Sequence, residues 1–119
     1  MQEFEIIFYA KADRTEPAKD FLEDLDAKMW AKMARTIVML RTNGTMLREP
    51  HSKPLSEGIF ELRARVGTDI SRMLYFFFSS HRIVLTNGFI KKTQRTPPAE
   101  IERAKRYRSE YLSREENKQ

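Results

Sequence analysis

From Phe60 to Val66 apolar and charged positions alternate without a break: Phe60, Leu62, Ala64 and Val66 against Glu61, Arg63 and Arg65. A period of two belongs to an extended chain, so the pattern predicts a strand over Gly58–Arg65 with the apolar set facing a core and the charged set on the opposite face. Gly67-Thr68-Asp69 predicts a turn. Ser71–Phe78 follows, and its nearly continuous apolar run from Met73 to Phe78 is that of a central strand covered on both faces, with Arg72 at its start. Ser79-Ser80-His81 predicts a hairpin into a third strand, Arg82–Ile90.

Upstream, Glu3–Tyr9 has strand composition with Phe4, Ile6 and Phe8 on one side. Thr15-Glu16-Pro17 starts a helix in which Ala18, Phe21, Leu22 and Leu25 keep helical spacing to about Ala27. A second helix runs from about Ala27 to Thr42 on Trp30, Met33, Ala34, Ile37, Val38 and Leu40, and Asn43-Gly44 stops it. Residues 45–57, with Pro50 and Pro54, predict a loop. Thr96-Pro97-Pro98 breaks the last strand and starts a final helix, with Glu100 and Glu102 in its first turn and a stripe of Ile101, Ala104, Tyr107 and Tyr111. The expected architecture is α+β: a mainly antiparallel four-stranded sheet with an N-terminal helical hairpin and a C-terminal helix, the helices packed against one side.

At 119 residues, 40% hydrophobic and 33% charged, the chain fits one compact domain spanning 1–119. It has no cysteine and only two histidines, His51 and His81, which leaves no thiolate metal site or disulfide framework. No apolar run approaches the ~20 residues of a membrane span. The start, with Gln2 and Glu3, lacks the basic and then apolar order of a secretory signal, so the expectation is a soluble cytoplasmic protein with no membrane partner. The net charge of +5 is unevenly spread: the first 30 residues hold eight acids against four bases, and the remaining 89 hold 18 bases against nine acids. That imbalance points to a polyanionic partner, nucleic acid ahead of membrane.

Glycine-rich phosphate loops, a nucleophile elbow and spaced acid or histidine clusters are missing, so no metal or cofactor is expected. Glu57 and Glu61 make a weak acid pair, and a lone loop histidine such as His51 or His81 is more often solvated than catalytic. What stands out is a set of cations, Arg63, Arg65, Arg72, Lys91 and Lys92, which neighbouring strands about 4.8 Å apart can gather. Like charges gathered in this way need a shared anion or a surface position. Arginine suits phosphate through its forked donors, and lysine serves as a compact charge or a proton-transfer group. Such a cluster can stabilise the phosphorane formed when an RNA 2′-hydroxyl attacks the adjacent phosphorus. RNA cleavage and simple anion binding weigh equally on this chemistry, and salt bridges to Glu57 or Glu61 are the structural alternative. The aromatic run Tyr75 to Phe78 reads as core rather than as a base-stacking platform.

Four ordered blocks, Lys53-Pro-Leu-Ser-Glu-Gly-Ile-Phe-Glu-Leu-Arg63, Arg72-Met-Leu-Tyr-Phe-Phe77, Gly88-Phe-Ile-Lys-Lys-Thr-Gln-Arg-Thr-Pro97 and Glu100-Ile-Glu-Arg-Ala104, resemble the toxins of the RelE/ParE superfamily, most closely the HigB-like, phage-derived branch. The resemblance implies a RelE-like fold and the toxin of a type II toxin–antitoxin module: a metal-independent mRNA endonuclease that acts with the ribosome, inhibits translation and arrests growth. It also implies silencing by a cognate helix-turn-helix antitoxin, with operator DNA bound only through that complex. By position, Arg63 matches the family's basic residue on the second sheet strand, Arg72 its phosphate-stabilising arginine on the next, and Lys92 beside Lys91 its basic group after the last strand. Glu61 or a lysine would handle protons, and His51, Lys53, Arg65 and Arg95 are the flanking RNA contacts. The family's tyrosine a few residues later has no counterpart, since Thr96-Pro97-Pro98 stands there. The aspartate-tyrosine-histidine ending of some HigB proteins is also absent, which argues for a Lys/Arg-rich variant of the site. The alternatives are a ParE-like gyrase poison and a non-catalytic nucleic-acid or antitoxin-binding module.

Overall fold

A computed structural model describes residues 3–91 and 95–118, with the side chain of Lys91 outside that description. Its order is β1 (Glu5–Phe8), α1 (Pro17–Glu23), α2 (Ala27–Asn43), a short 3-10 turn (Gly44–Met46), β2 (Ser52–Ser56), β3 (Ile59–Val66), β4 (Asp69–Phe78), β5 (Arg82–Lys91) and α3 (Pro98–Glu116). The α+β composition is as expected, but the sheet has five strands, in the order β1-β5-β4-β3-β2. It is mixed: β2 to β5 are antiparallel neighbours, whereas β1 runs parallel to β5, Glu5 facing Arg82 and Phe8 facing Leu85.

The extra strand, β2, lies in the stretch expected to be a loop. Its Pro54 is tolerated because β2 is an edge strand, where a missing N–H breaks no ladder on the outer side. Helix boundaries also shift. The first helix ends at Glu23, because Asp26 takes an extended conformation and its carboxylate accepts the Met29 N–H at 2.9 Å, capping α2. The two N-terminal helices pack mainly onto the sheet, α1 on β5 and α2 on β3, rather than as a self-contained hairpin.

Helices cover both faces of the sheet, not one. Side-chain alternation sends Leu62, Ala64, Met73, Tyr75, Ile83 and Leu85 toward α1 and α2, and Ile59, Leu74, Phe76 and Val84 toward α3. The aromatic run of β4 therefore splits. Tyr75 stacks on Phe60 at 5.4 Å on one side, while Phe76 and Phe78 meet the Tyr111 edge at 5.9 and 5.3 Å on the other. The α2 stripe that is buried is Met29, Met33, Thr36 and Leu40; Trp30 and Val38, expected in the core, are 46% and 47% exposed.

Gly88 shows how closely α1 sits on β5: a Cβ at this position would overlap the Phe21 ring. Gly88→Ala is expected to cost roughly 1–3 kcal/mol of stability by overpacking. The urea midpoint reads this, and an unchanged midpoint would mean that Phe21 has room to rotate away. No helix among the described residues is long and apolar enough to cross a membrane.

Candidate nucleic-acid interface

The face beneath α3 is covered only in part. A register shift after Leu74 leaves Thr86 as an extra residue in β5 and sets Asn87 opposite Leu74. The Asn87 amide then donates to the Glu100 carbonyl at 3.3 Å and to its carboxylate at 3.0 Å. These bonds pin the first turn of α3 over the Leu74 row. Rows nearer the β3–β4 turn lie beyond the helix: Arg63 opposite Arg72 opposite Phe89, then Arg65 opposite Ile70. Residues directly opposite share a face, so Arg63, Arg65 and Arg72 stand together, and Lys53 of β2, opposite Glu61, joins them.

Glu61 holds this group together. It is fully buried, although the alternation alone would leave it on a solvated face. Its Oε1 accepts from Arg63 Nε at 2.5 Å, and its Oε2 lies 3.6 Å from Arg72 Nη1 and accepts from the Thr96 hydroxyl. Arg72 also donates to Thr96 Oγ1 at 3.4 Å. The shared anion that gathered cations require is thus supplied by the chain itself. Thr96 stands directly before Pro97, the extended N-cap of α3, and its hydroxyl reaches the Glu61 carboxylate from there.

Two of the expected site residues lie buried. Arg72, expected to stabilise the phosphate, is fully buried and pairs with Glu61 at 3.6 Å. Burial pulls its guanidinium below the ordinary value; Glu61 opposes that shift, and the charges of Arg63 and Arg65 add to it. Glu61, expected to handle protons, has both oxygens engaged away from solvent.

The accessible cations are Arg63, whose side chain is 18% exposed, the half-buried Lys53 and the exposed Arg65 and Arg95. Arg63 also lies 4.0 Å from Glu49, and its N–H donates to the His51 carbonyl at 2.9 Å. That bond ends the β2–β3 ladder and brings His51 to the open edge of β3. A cavity of about 240 Å³ there is lined by Lys32, His51, Arg63 and Arg65 among others. Lys92 and the Lys91 side chain lie outside the described residues. No group of three or more His, Cys, Asp or Glu among the described residues is arranged to hold a metal ion.

Sequence reasoning missed Thr96 and Asn87. Thr96 was legible only as the residue before two prolines that break the last strand and start the final helix, and Asn87 only as a polar residue within an apolar strand. The arrangement as a whole is a partly desolvated basic platform, stiffened from below by a buried ion cluster and able to bind a phosphate through forked donors. Residues 20–109 match the family described as "Phage derived protein Gp49-like (DUF891)". No curated protein matches the chain.

Proposed function

The chain belongs to the Gp49-like phage-derived family, a family of RelE-like toxin–antitoxin toxins, and on that premise we propose that it is a type II module toxin of the HigB-like branch that cleaves mRNA. The observation that carries the reading is the platform itself. Arg63 and Arg65 stand on one face beyond α3, with Arg63 oriented by the buried Glu61 carboxylate that accepts its Nε hydrogen bond.

In this reading a single-stranded RNA phosphate lies across the platform, its non-bridging oxygens on the Arg63 and Arg65 forks. The 2′-oxygen forms a bond to phosphorus as the bond to the 5′-oxygen breaks. His51, at the edge beside Arg63 and Arg65, accepts the 2′-hydroxyl proton through a ring nitrogen. Lys53, across from Glu61, donates a proton to the departing 5′-oxygen. Arg72, Glu61 and Thr96 hold the geometry, and the two arginines meet the charge that grows on the phosphorane. Through the resemblance alone, Lys92 and Lys91 join the catalytic set, Lys92 as a further phosphate-stabilising group, and Arg95 is a further RNA contact.

The partners follow from the same proposal: mRNA on the ribosome as substrate, and a helix-turn-helix antitoxin that covers the basic face or adds to a sheet edge, with operator DNA reached only through that complex. Primer extension on translated mRNA after brief induction tests it. New 5′ ends in coding sequence, appearing before growth stops, are expected. DNA breaks with intact transcripts would instead establish the gyrase-poison alternative, and a folded protein with neither effect would establish a binding module.

A further inference from the structure

We propose that the cavity at the open edge of β3 is a second phosphate subsite, with Lys32 of α2 as its far wall, so that bound RNA turns around the sheet edge toward α2. The inference rests on the RNA reading of the platform and extends it to a residue on the opposite side of the sheet.

The site arises because β2 is short. It pairs with β3 only as far as Leu62, and from Arg63 onward the outer edge of β3 has no neighbouring strand. Behind that edge runs α2, and between them lies the cavity of about 240 Å³. Its walls carry cations from two elements, Arg63 and Arg65 from the sheet and Lys32 from the helix, with His51 between, and no acid lines it. Neither Lys32 nor Arg65 takes part in an ion pair among the described residues, so both charges are uncommitted. The floor gives them nothing: it includes apolar Ala64 and Ile70, and the buried Thr36 hydroxyl already donates to the Lys32 carbonyl at 2.9 Å. Arg63 is already held by Glu61, but Lys32 and Arg65, two like charges facing a small space with no acid in its lining, are stabilised by a bound anion. A polynucleotide on Arg63 presents its next phosphate within one nucleotide. A rim residue shared by platform and cavity, Arg63 links the two.

The test uses short 2′-O-methyl oligoribonucleotides, which lack the attacking hydroxyl and so report binding alone, with the full chain titrated by fluorescence anisotropy at several salt concentrations. For single strands each neutralised phosphate contributes about 0.7 to the slope of log affinity against log salt. Lys32→Ala is expected to lower the slope by about 0.7 and weaken binding several-fold at low salt, uniformly across base sequences. Arg35→Ala, one helical turn away on the same helix and outside the cavity lining, is expected to leave the slope unchanged. An unchanged slope in Lys32→Ala beside a lowered one in Arg65→Ala would overturn the subsite and leave the platform standing. Unchanged slopes in Lys32→Ala, Arg65→Ala and Arg63→Ala together, with the urea midpoint of each at the parent value, would overturn both.

Discussion

Arg72→Ala is expected to lose about 3–5 kcal/mol of folding stability, the cost of leaving one member of a buried ion pair without its partner. Arg72 and Glu61 are both fully buried, and Glu61 would keep only the largely buried pairing with Arg63 and the Thr96 hydroxyl. For a domain whose total stability is about 5–15 kcal/mol, that loss is a large fraction of the whole and, near the lower end of the range, leaves much of the chain unfolded. Growth arrest would then vanish for a structural reason. The double variant Glu61→Leu/Arg72→Met separates the two explanations, since replacing both charges with apolar residues of similar volume is often neutral or stabilising. It is expected to fold with a urea midpoint near the parent's, yet to cleave about tenfold more slowly because Arg63 has lost the carboxylate that aims it. A midpoint for Arg72→Ala within 1 kcal/mol of the parent, on the order of an ordinary surface change, would contradict the assignment of this pair as the buried support of the site.

The largest effect on activity is expected at Arg63. Arg63→Ala should slow mRNA cleavage about 10²–10³-fold, the magnitude associated with losing one donor to a developing oxyanion. Its effect on stability should be the smaller of the two arginines, because Glu61 retains Arg72 and Thr96. Arg63→Lys is the informative companion. One guanidinium holds Glu61 through Nε and still offers its outer nitrogens to a phosphate; an ammonium has a single nitrogen and cannot span both. Retained charge should therefore recover little of the rate. Cleavage of a defined transcript, timed alongside the circular-dichroism spectrum of each variant, gives the comparison. A well-folded Arg63→Ala within threefold of the parent rate would remove Arg63 from the reaction.

Several elements were open to reading in order, and the failures share a cause. The alternation in β3 was correct residue by residue, and the split of Phe60, Leu62, Ala64 and Val66 from Glu61, Arg63 and Arg65 is the one observed. What failed was the assumption that the face opposite the core meets water. The helix α3 returns across that face, stacking Tyr107 on Tyr9 at 4.6 Å, and Thr96 just before it bonds to both Glu61 and Arg72. Similarly, β2 looked like loop because two prolines lie in or near it, and only its place at the sheet edge makes Pro54 admissible. The α2 stripe slipped by a position or two, so that Thr36 went inside and Trp30 outside. Periodicity on a helix constrains which residues share a face far better than which face is covered.

Sequence alone determined what depends on neighbours along the chain: the strand period of β3, the apolar run of β4, the helix starts at Pro17 and Pro98, the stop at Gly44 and the gathering of cations in the later residues. Tertiary structure decided everything that depends on pairs far apart. It set β1 parallel beside β5, put helices on both faces and let Thr96 close over Glu61, 35 positions earlier. It also divided the arginines, which no local pattern distinguishes, into one that is buried and one that reaches solvent. The physical reason is that a charge's role is set by its desolvation and its partner, and both come from the packing of remote segments rather than from the residue's own neighbourhood.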